Sequence, residues 1–143
     1  MPKDNKMKLS IHFITSLVLS AIFYPFYGIA SFAIMSGGFL IDVDHILPYF
    51  FKFKSLDFKK AYTYYMSTTY EKHQGLFFTF HSIELLLAGI FFSFRYDLAL
   101  MFSIGLLVHY ILDLIDEMKI AGHLVKSWSF ILWLKKRTAE ARN

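Results

Sequence analysis

Long apolar stretches alternate with short polar segments along this chain. From position 11 to 41 only His12 is readily ionised, and two further apolar stretches follow a mixed central segment. A helix that crosses the roughly 30 Å core of a bilayer needs about 20 apolar residues. Because 11–41 is too long for one span, we place a helix boundary at Pro25 and an end before Pro48, since proline suits a first turn but not a helix interior. The pattern predicts membrane spans at about 5–24, 25–47, 75–94 and 98–115.

Two other segments mix aromatic, apolar and basic residues, which is typical of the membrane–water interface. They lie at about 56–70 and 124–135. No internal repeat or linker divides the chain. The sequence therefore predicts an all-α integral membrane bundle of about four transmembrane helices plus interfacial helices, formed as a single domain over 1–143.

The composition agrees with a membrane protein and excludes several other classes. Of 143 residues, 56% are hydrophobic and only 18% charged, too few charges to cover a soluble domain of this size. This balance argues against disorder and against nucleic acid as a partner, and makes the lipid bilayer the expected partner. There is no cysteine, which excludes disulfides and thiolate metal sites.

The N-terminal region also has features of a signal peptide. Three lysines precede the apolar run, and Gly28-Ile29-Ala30 offers a small-x-small cleavage site. The apolar character continues beyond Ala30, however, and this favours a retained helix.

The basic residues predict the orientation of the bundle. Four spans place both termini and the central 49–73 segment on one side, together with every lysine and arginine except Arg95. The positive-inside rule makes that side cytoplasmic. We expect a multi-pass protein of a bacterial or archaeal cytoplasmic (inner) membrane, with both termini at the cytoplasmic face.

Ionisable residues inside the predicted spans require an explanation, because each costs roughly 2.5–3.5 kcal/mol at a helix centre. Every one falls near the predicted cytoplasmic end of its helix, so an up-down bundle would gather them in one layer. The set consists of His12, Asp42, Asp44, His45, His81, Glu84, His109 and Asp113, with Glu71 and His73 just before the third span.

Local spacing supports a common site. His109 and Asp113 are four residues apart and therefore share a helix face. Asp42 and His45 are three residues apart and share a face in the same way. Asp44 would join them only if the helix loosens before Pro48. Beyond the fourth span we expect Asp116, Glu117 and His123 to be solvated.

Imidazole and carboxylate ligands without sulfur suit zinc, with manganese or iron as alternatives. The number of candidate ligands exceeds the four of one tetrahedral ion, so one or two divalent ions are expected. Paired metals promote phosphoester hydrolysis. Haem binding and proton or ion transport are the alternatives, since histidine pairs ligate haem and Asp/Glu/His chains mark ion paths.

These residues resemble motifs of a bacterial inner-membrane family of metal-dependent hydrolases, the LexA-regulated family and its relatives. The likeness includes an early His12, then Asp42-Val43-Asp44-His45, similar to the family's D-x-D-H. It continues through His73-Gln74-Gly75 and His81-Ser82, similar to its H-R-G and H-S, and ends at His109 and Asp113, similar to its late H-x-x-x-D.

The resemblance implies a membrane-bound metal-dependent hydrolase, distantly related to zinc-dependent phospholipase C and P1-type nucleases. The implied metal ligands are Asp42, Asp44, His45, His81, His109 and Asp113, with His12 and His73 in addition. We expect a lipid or another membrane-proximal phosphate ester as the substrate, and Glu84 or Glu71 as general base or further ligand. Basic residues would form the substrate rim, namely Lys52, Lys54 and Lys72. A non-enzymatic metal-binding or ion-transport protein could use the same residues.

Overall fold

The computed structural model describes residues 9–67, 79–123 and 127–140, and within them the chain is helical, with no β-strand among its elements. The predicted all-α class is confirmed for these residues. Short 3-10 turns connect some of the helices, at Gly28–Phe32, Leu40–Asp42 and Thr79–His81. The α-helices are α1 Leu9–Tyr27, α2 Ala33–Gly38, α3 Val43–Phe53, α4 Phe58–Ser67, α5 Ile83–Ser93, α6 Asp97–Ala121 and α7 Phe130–Glu140.

The predicted helix boundary at Pro25 is wrong. Pro25 lies inside the last turns of α1, which continues to Tyr27. The break comes at Gly28, whose φ of +55° lies in the left-handed region. Glycine adopts this conformation without the steric penalty of a Cβ atom, and it therefore ends the helix where proline does not.

The predicted second helix, 25–47, is also not continuous. It is divided into the 3-10 turn Gly28–Phe32, α2, the 3-10 turn Leu40–Asp42 and the start of α3. Pro48 does not end it, because α3 runs on to Phe53 and stops where Lys54 takes a φ of +49°. These interruptions turn the polar residues near position 42 away from the register of one straight helix.

The remaining predicted segments match helices with shifted ends. Within the predicted third span, α5 has 11 residues, and α6 has 25 where the prediction ends the fourth span at 115. The two interfacial segments correspond to α4 and α7.

The long helix α6 forms the centre of the fold, with α2 and α5 packed on it and α1 against α2. Glycines allow α2 and α6 to approach at backbone distance. A Cβ atom on Gly105 would overlap the carbonyl oxygen of Ile34, and one on Gly37 would overlap that of Phe102. Small residues at such contacts are typical of helix packing in membranes, where close van der Waals fit holds helices together.

Among the residues that the structure describes, two helical stretches are long and apolar enough to cross a membrane, Leu9–His45 and Asp97–Lys119. Two such stretches alone are weak evidence, since a buried core helix or a signal sequence has the same length and composition. The exterior adds a second observation, because large apolar side chains are exposed along α1, α5 and α6. Phe91 is 71% exposed and Leu87 58%, while histidines and aspartates are buried inside. Apolar surface on this scale marks a face that meets lipid or another protein.

Candidate metal centre

Five elements of the fold bring six of the predicted site residues together in one buried cluster, which we call the His/Asp cluster. Its donor atoms form two sets that could each hold a metal ion. The first group is His12, His109 and Asp113, and the second group is Asp42, His45 and His81. Within each group the donor atoms all lie within 4.8 Å of one another.

The first group is built on two regular helices. His109 and Asp113 lie one turn apart on α6, and α1 brings His12 against them. Nε2 of His12 lies 3.4 Å from Oδ1 of Asp113, and the rings of His12 and His109 are 4.2 Å apart between centroids. All three residues are buried.

The second group is built where the helices are interrupted. Asp42 ends one 3-10 turn, His45 follows in the first turn of α3, and His81 ends another 3-10 turn. Oδ1 of Asp42 lies 3.6 Å from Nε2 of His45 and 3.7 Å from Nε2 of His81. The loosened backbone before α3 thus lets Asp42 and His45 face His81.

The two groups are in direct contact. Nε2 of His81 lies 2.9 Å from Nε2 of His109, and Oδ1 of Asp42 lies 3.5 Å from the same His109 nitrogen. Asp113 reaches both groups, because its Oδ1 faces His12 while its Oδ2 lies 3.7 Å from Nε2 of His81. The six residues therefore form one centre rather than two separate sites.

Hydrogen bonds at the far side of each ring assign the tautomers of this central pair. Nδ1 of His109 lies 3.0 Å from the carbonyl oxygen of Gly38, and Nδ1 of His81 lies 3.1 Å from Oδ2 of Asp44. A carbonyl and an ionised carboxylate only accept hydrogen bonds, so both Nδ1 atoms must donate. In neutral rings both Nε2 atoms then present lone pairs to each other at a hydrogen-bond distance. Their repulsion is offset by a proton between them or by a metal ion that both bind at a slightly wider separation.

Asp44 lies behind His81 instead of in either donor group. Its Oδ2 accepts hydrogen bonds from Nδ1 of His81 and from the backbone N–H of Phe80, at 2.9 Å. A carboxylate in this position fixes the ring and leaves Nε2 as the ligand atom, as second-sphere carboxylates do in metal sites. The sequence predicts Asp44 as a ligand, and the structure gives it this supporting contact.

Two aromatic residues support the turn that carries His81. The hydroxyl of Tyr110 lies 2.8 Å from the carbonyl oxygen of Ser82 and 3.0 Å from that of Phe80, and its ring stacks on His81. Trp128 packs edge-on against Tyr110, and its carbonyl accepts the N–H of Ile83 at 2.8 Å. The segment before α7 therefore helps to hold His81 in place.

Glu84 forms hydrogen bonds to the start of α7, a contact that its position in the sequence does not predict. Its carboxylate accepts hydrogen bonds from the hydroxyl of Ser129 at 2.6 Å and from the backbone N–H groups of Phe130 and Ile131. It thus caps the first turn of α7. None of the described contacts joins Glu84 to the His/Asp cluster, and its predicted role as general base or ligand stays a prediction beside this capping contact.

The expectation that Asp116 and Glu117 are solvated is wrong. Asp116 is 7% exposed and Glu117 is fully buried, with its Oε2 accepting the indole N–H of Trp128 at 3.2 Å. The spacing along α6 indicates this burial, because Glu117 lies four residues after Asp113 and therefore on the same inward face of the helix. His123 is exposed, as expected.

Several predicted residues fall outside the described part of the chain. Glu71, Lys72 and His73 belong to this set, and so does the side chain of Lys52. Lys54 is described, and it lies exposed at the C-terminal end of α3.

The donor set fits a divalent cation. Most nitrogen-to-oxygen separations in the cluster are 3.4–3.8 Å, too long for hydrogen bonds. Atoms that share a tetrahedral ion at bonds of about 2.0–2.2 Å lie about 3.3–3.6 Å apart, which matches the three shorter separations. Among the described residues, Nδ1 of His12 and Oδ2 of Asp42 are also buried without a hydrogen-bond partner. Buried polar atoms of this kind are costly unless a ligand satisfies them.

Comparison with known proteins provides no relative: no family model, no curated protein and no solved structure matches this chain. The resemblance in motifs therefore stays a prediction.

Proposed function

We propose that this chain is a membrane-bound metal-dependent hydrolase that acts on a phosphate ester at the membrane surface. The observation that carries the proposal is the facing pair of Nε2 atoms of His81 and His109, 2.9 Å apart, with both opposite nitrogens held by acceptors. The two buried ring nitrogens each present a lone pair, and the carboxylates of Asp42 and Asp113 lie beside them. Such a set of donors favours the binding of a positive ion.

The ligands divide by position in this proposal. His12, His45, His81 and His109 offer neutral nitrogens, and the carboxylates of Asp42 and Asp113 offset the charge of one or two ions. Zinc suits this combination best, with manganese or iron as alternatives. Asp44 and the carbonyl of Gly38 would not bind the ion themselves. They accept hydrogen bonds from Nδ1 of His81 and of His109 and so fix Nε2 as the ligand atom of each ring.

The chemistry that a divalent ion supplies in such a site is Lewis acidity, which acidifies water and offsets charge on a phosphoester. The residues of this chain supply the other requirements. Burial of the cluster limits competing water, and Oδ2 of Asp42, buried without a described partner, is placed to accept a proton. Asp42 is in this proposal a further candidate for the general base, beside the predicted Glu84 and Glu71.

An apolar exterior is the reason for proposing a lipid or membrane-proximal substrate. The chain exposes large apolar side chains on α1, α5 and α6. Such a surface suits a bilayer, where phosphate esters are concentrated at the headgroup level. By the distribution of basic residues, the cluster lies at the cytoplasmic face.

One observation favours a second candidate, the non-enzymatic passage or storage of metal ions. His12, Ser16 and Ser20 are buried at successive turns of α1 and form one polar line that leads away from the cluster. Polar lines of this kind mark ion paths in membrane proteins. The hydrolase remains the first choice because the cluster itself concentrates its donors at one depth.

The test uses the full chain purified in detergent, first depleted of metal and then replenished. We expect stoichiometric zinc, manganese or iron by elemental analysis, and cleavage of bis(4-nitrophenyl) phosphate. Asp42→Ala and Asp113→Ala should each remove metal and activity, while Asp97→Ala, an exposed carboxylate on the same helix as Asp113, should keep both.

Other outcomes decide against the proposal. Bound metal without cleavage of any phosphodiester, together with ion flux into vesicles, would support the second candidate. A Soret band would indicate haem. No stoichiometric metal after replenishment would overturn both metal proposals.

A further inference from the structure

A pocket of about 620 Å³ lies between α3 and α4, apart from the His/Asp cluster. One wall consists of three rings that touch one another: Tyr49 and Phe53 are 4.7 Å apart between centroids, and Tyr64 lies 5.6 Å from Tyr49 and 5.4 Å from Phe53. The volume falls in the range of sites that bind a small molecule, roughly 300–1,000 Å³. We call it the α3–α4 pocket.

The opposite wall of the α3–α4 pocket is polar and carries a positive charge. Lys60 forms an ion pair with Asp57, with 3.2 Å between Nζ and Oδ2. The backbone N–H and the ammonium of Lys60 lower the pKa of Asp57, so this carboxyl group stays ionised and neutralises Lys60. Lys59 also lines the pocket, and none of the ion pairs among the described residues involves it. Within the described part of the chain, the pocket therefore carries one cation, Lys59, that forms no ion pair.

The turn beside the α3–α4 pocket has the surface of a segment that enters the membrane interface. Leu56 is 77% exposed and Phe58 64%, and Lys54 and Lys59 flank them. Exposed apolar side chains flanked by lysines favour contact with acyl chains below and lipid phosphates above. This places the mouth of the pocket at headgroup depth.

We propose that the α3–α4 pocket binds one anionic phospholipid, with Lys59 facing its phosphate and the rings of Tyr49, Phe53 and Tyr64 against its glycerol and upper acyl carbons. Aromatic side chains commonly occupy this depth, because they have an apolar body and, in tyrosine, a polar end. The site requires no metal and is independent of the hydrolase proposal.

The experiment titrates the full chain in detergent micelles with dihexanoyl-phosphatidylglycerol by calorimetry, in the presence of a chelator. We expect saturable one-to-one binding that Lys59→Ala weakens about fivefold, the contribution of roughly one lysine near an anionic lipid. Lys59→Arg should retain the affinity. Lys136→Ala removes the same charge from exposed α7, outside the pocket, and should leave binding unchanged.

Three results would overturn the proposal. Equal weakening by Lys59→Ala and Lys136→Ala would show a general charge effect instead of a site. Equal affinity for dihexanoyl-phosphatidylcholine would exclude selection of an anionic headgroup. Inorganic phosphate that binds as tightly, with the same dependence on Lys59, would identify a free phosphate site. Helical content by circular dichroism checks that each variant is folded.

Discussion

The two donor groups of the His/Asp cluster are built on different kinds of backbone. In the first group, the regular turns of α1 and α6 set the positions of His12, His109 and Asp113. In the second group, two residues sit on 3-10 turns, and those turns depend on contacts from elsewhere in the chain. Regular helices fix side chains by their own hydrogen bonds, whereas interrupted segments need outside support.

The supports of the second group come from three directions. Asp44 holds the ring of His81, Tyr110 holds the turn from α6, and the segment around Trp128 holds it from the C-terminal side. In the first group, a contact of this kind holds His109, whose Nδ1 donates to the carbonyl oxygen of Gly38. The comparison predicts that distant substitutions weaken the second group first, unless they alter the packing of α6 itself.

The largest effect should come from Gly105→Ala, because it disturbs both groups together. The added methyl would overlap the carbonyl of Ile34, push α2 away from α6 and displace Gly38 from His109. We expect a loss of about 1–3 kcal/mol in the free energy of unfolding in mixed detergent micelles and loss of metal from both groups. Leu107→Ala, on an exposed face of α6, should change stability much less. A normal metal content in Gly105→Ala would contradict this account.

A smaller and more selective effect is expected for Asp44→Ala. It removes the acceptor from His81 and from the N–H of Phe80, so the second group should bind metal about 10–100-fold more weakly in chelator competition. Asp44→Asn keeps an acceptor and should recover part of the affinity.

His12→Ala is the complementary variant, since it removes a donor of the first group only. If Asp44→Ala and His12→Ala deplete the same group, the division into a self-supported and an externally supported group is wrong.

The smallest effect should follow Glu84→Ala, which acts on α7 alone. Loss of a helix cap costs about 0.5–2 kcal/mol, so the first-turn amides of α7 at Phe130 and Ile131 should exchange hydrogen faster. Metal affinity should change little. Glu140→Ala, an exposed carboxylate at the other end of α7, is the control. Loss of metal in Glu84→Ala as complete as in Asp113→Ala would return Glu84 to the ligand set.

The same difference in backbone explains what the sequence could predict. The pairing of His109 with Asp113 follows from a four-residue spacing on a regular helix, and the structure places them side by side. The breaks at Gly28 and before Val43 do not follow from the sequence pattern, because proline is the stronger predicted helix breaker and the hydrophobic pattern does not reveal a positive φ at a glycine. The position of Asp44 depends on such a break, so spacing alone could not assign its partner.

Long-range contacts were the least predictable feature. Glu84 and Glu117 are both conspicuous acids, yet their partners Ser129 and Trp128 are brought in by the chain beyond α6. No periodicity links positions 84 and 129. The burial of Glu117 can be predicted from the sequence, since Glu117 lies one helical turn after Asp113 on the same face.

The carboxylate of Asp113 reaches both groups, since its Oδ1 lies 3.4 Å from Nε2 of His12 and its Oδ2 lies 3.7 Å from Nε2 of His81. In the proposed metal centre this would make the carboxylate a thermodynamic link between the groups. An ion bound by His12 and Oδ1 would restrict the rotation of the carboxylate and so reduce the entropy that Oδ2 loses on engaging a second ion beside His81. By reciprocity, the second ion would strengthen the first by the same factor. Electrostatic repulsion between the ions opposes this gain, and the difference between the two decides whether the centre fills cooperatively or one ion at a time.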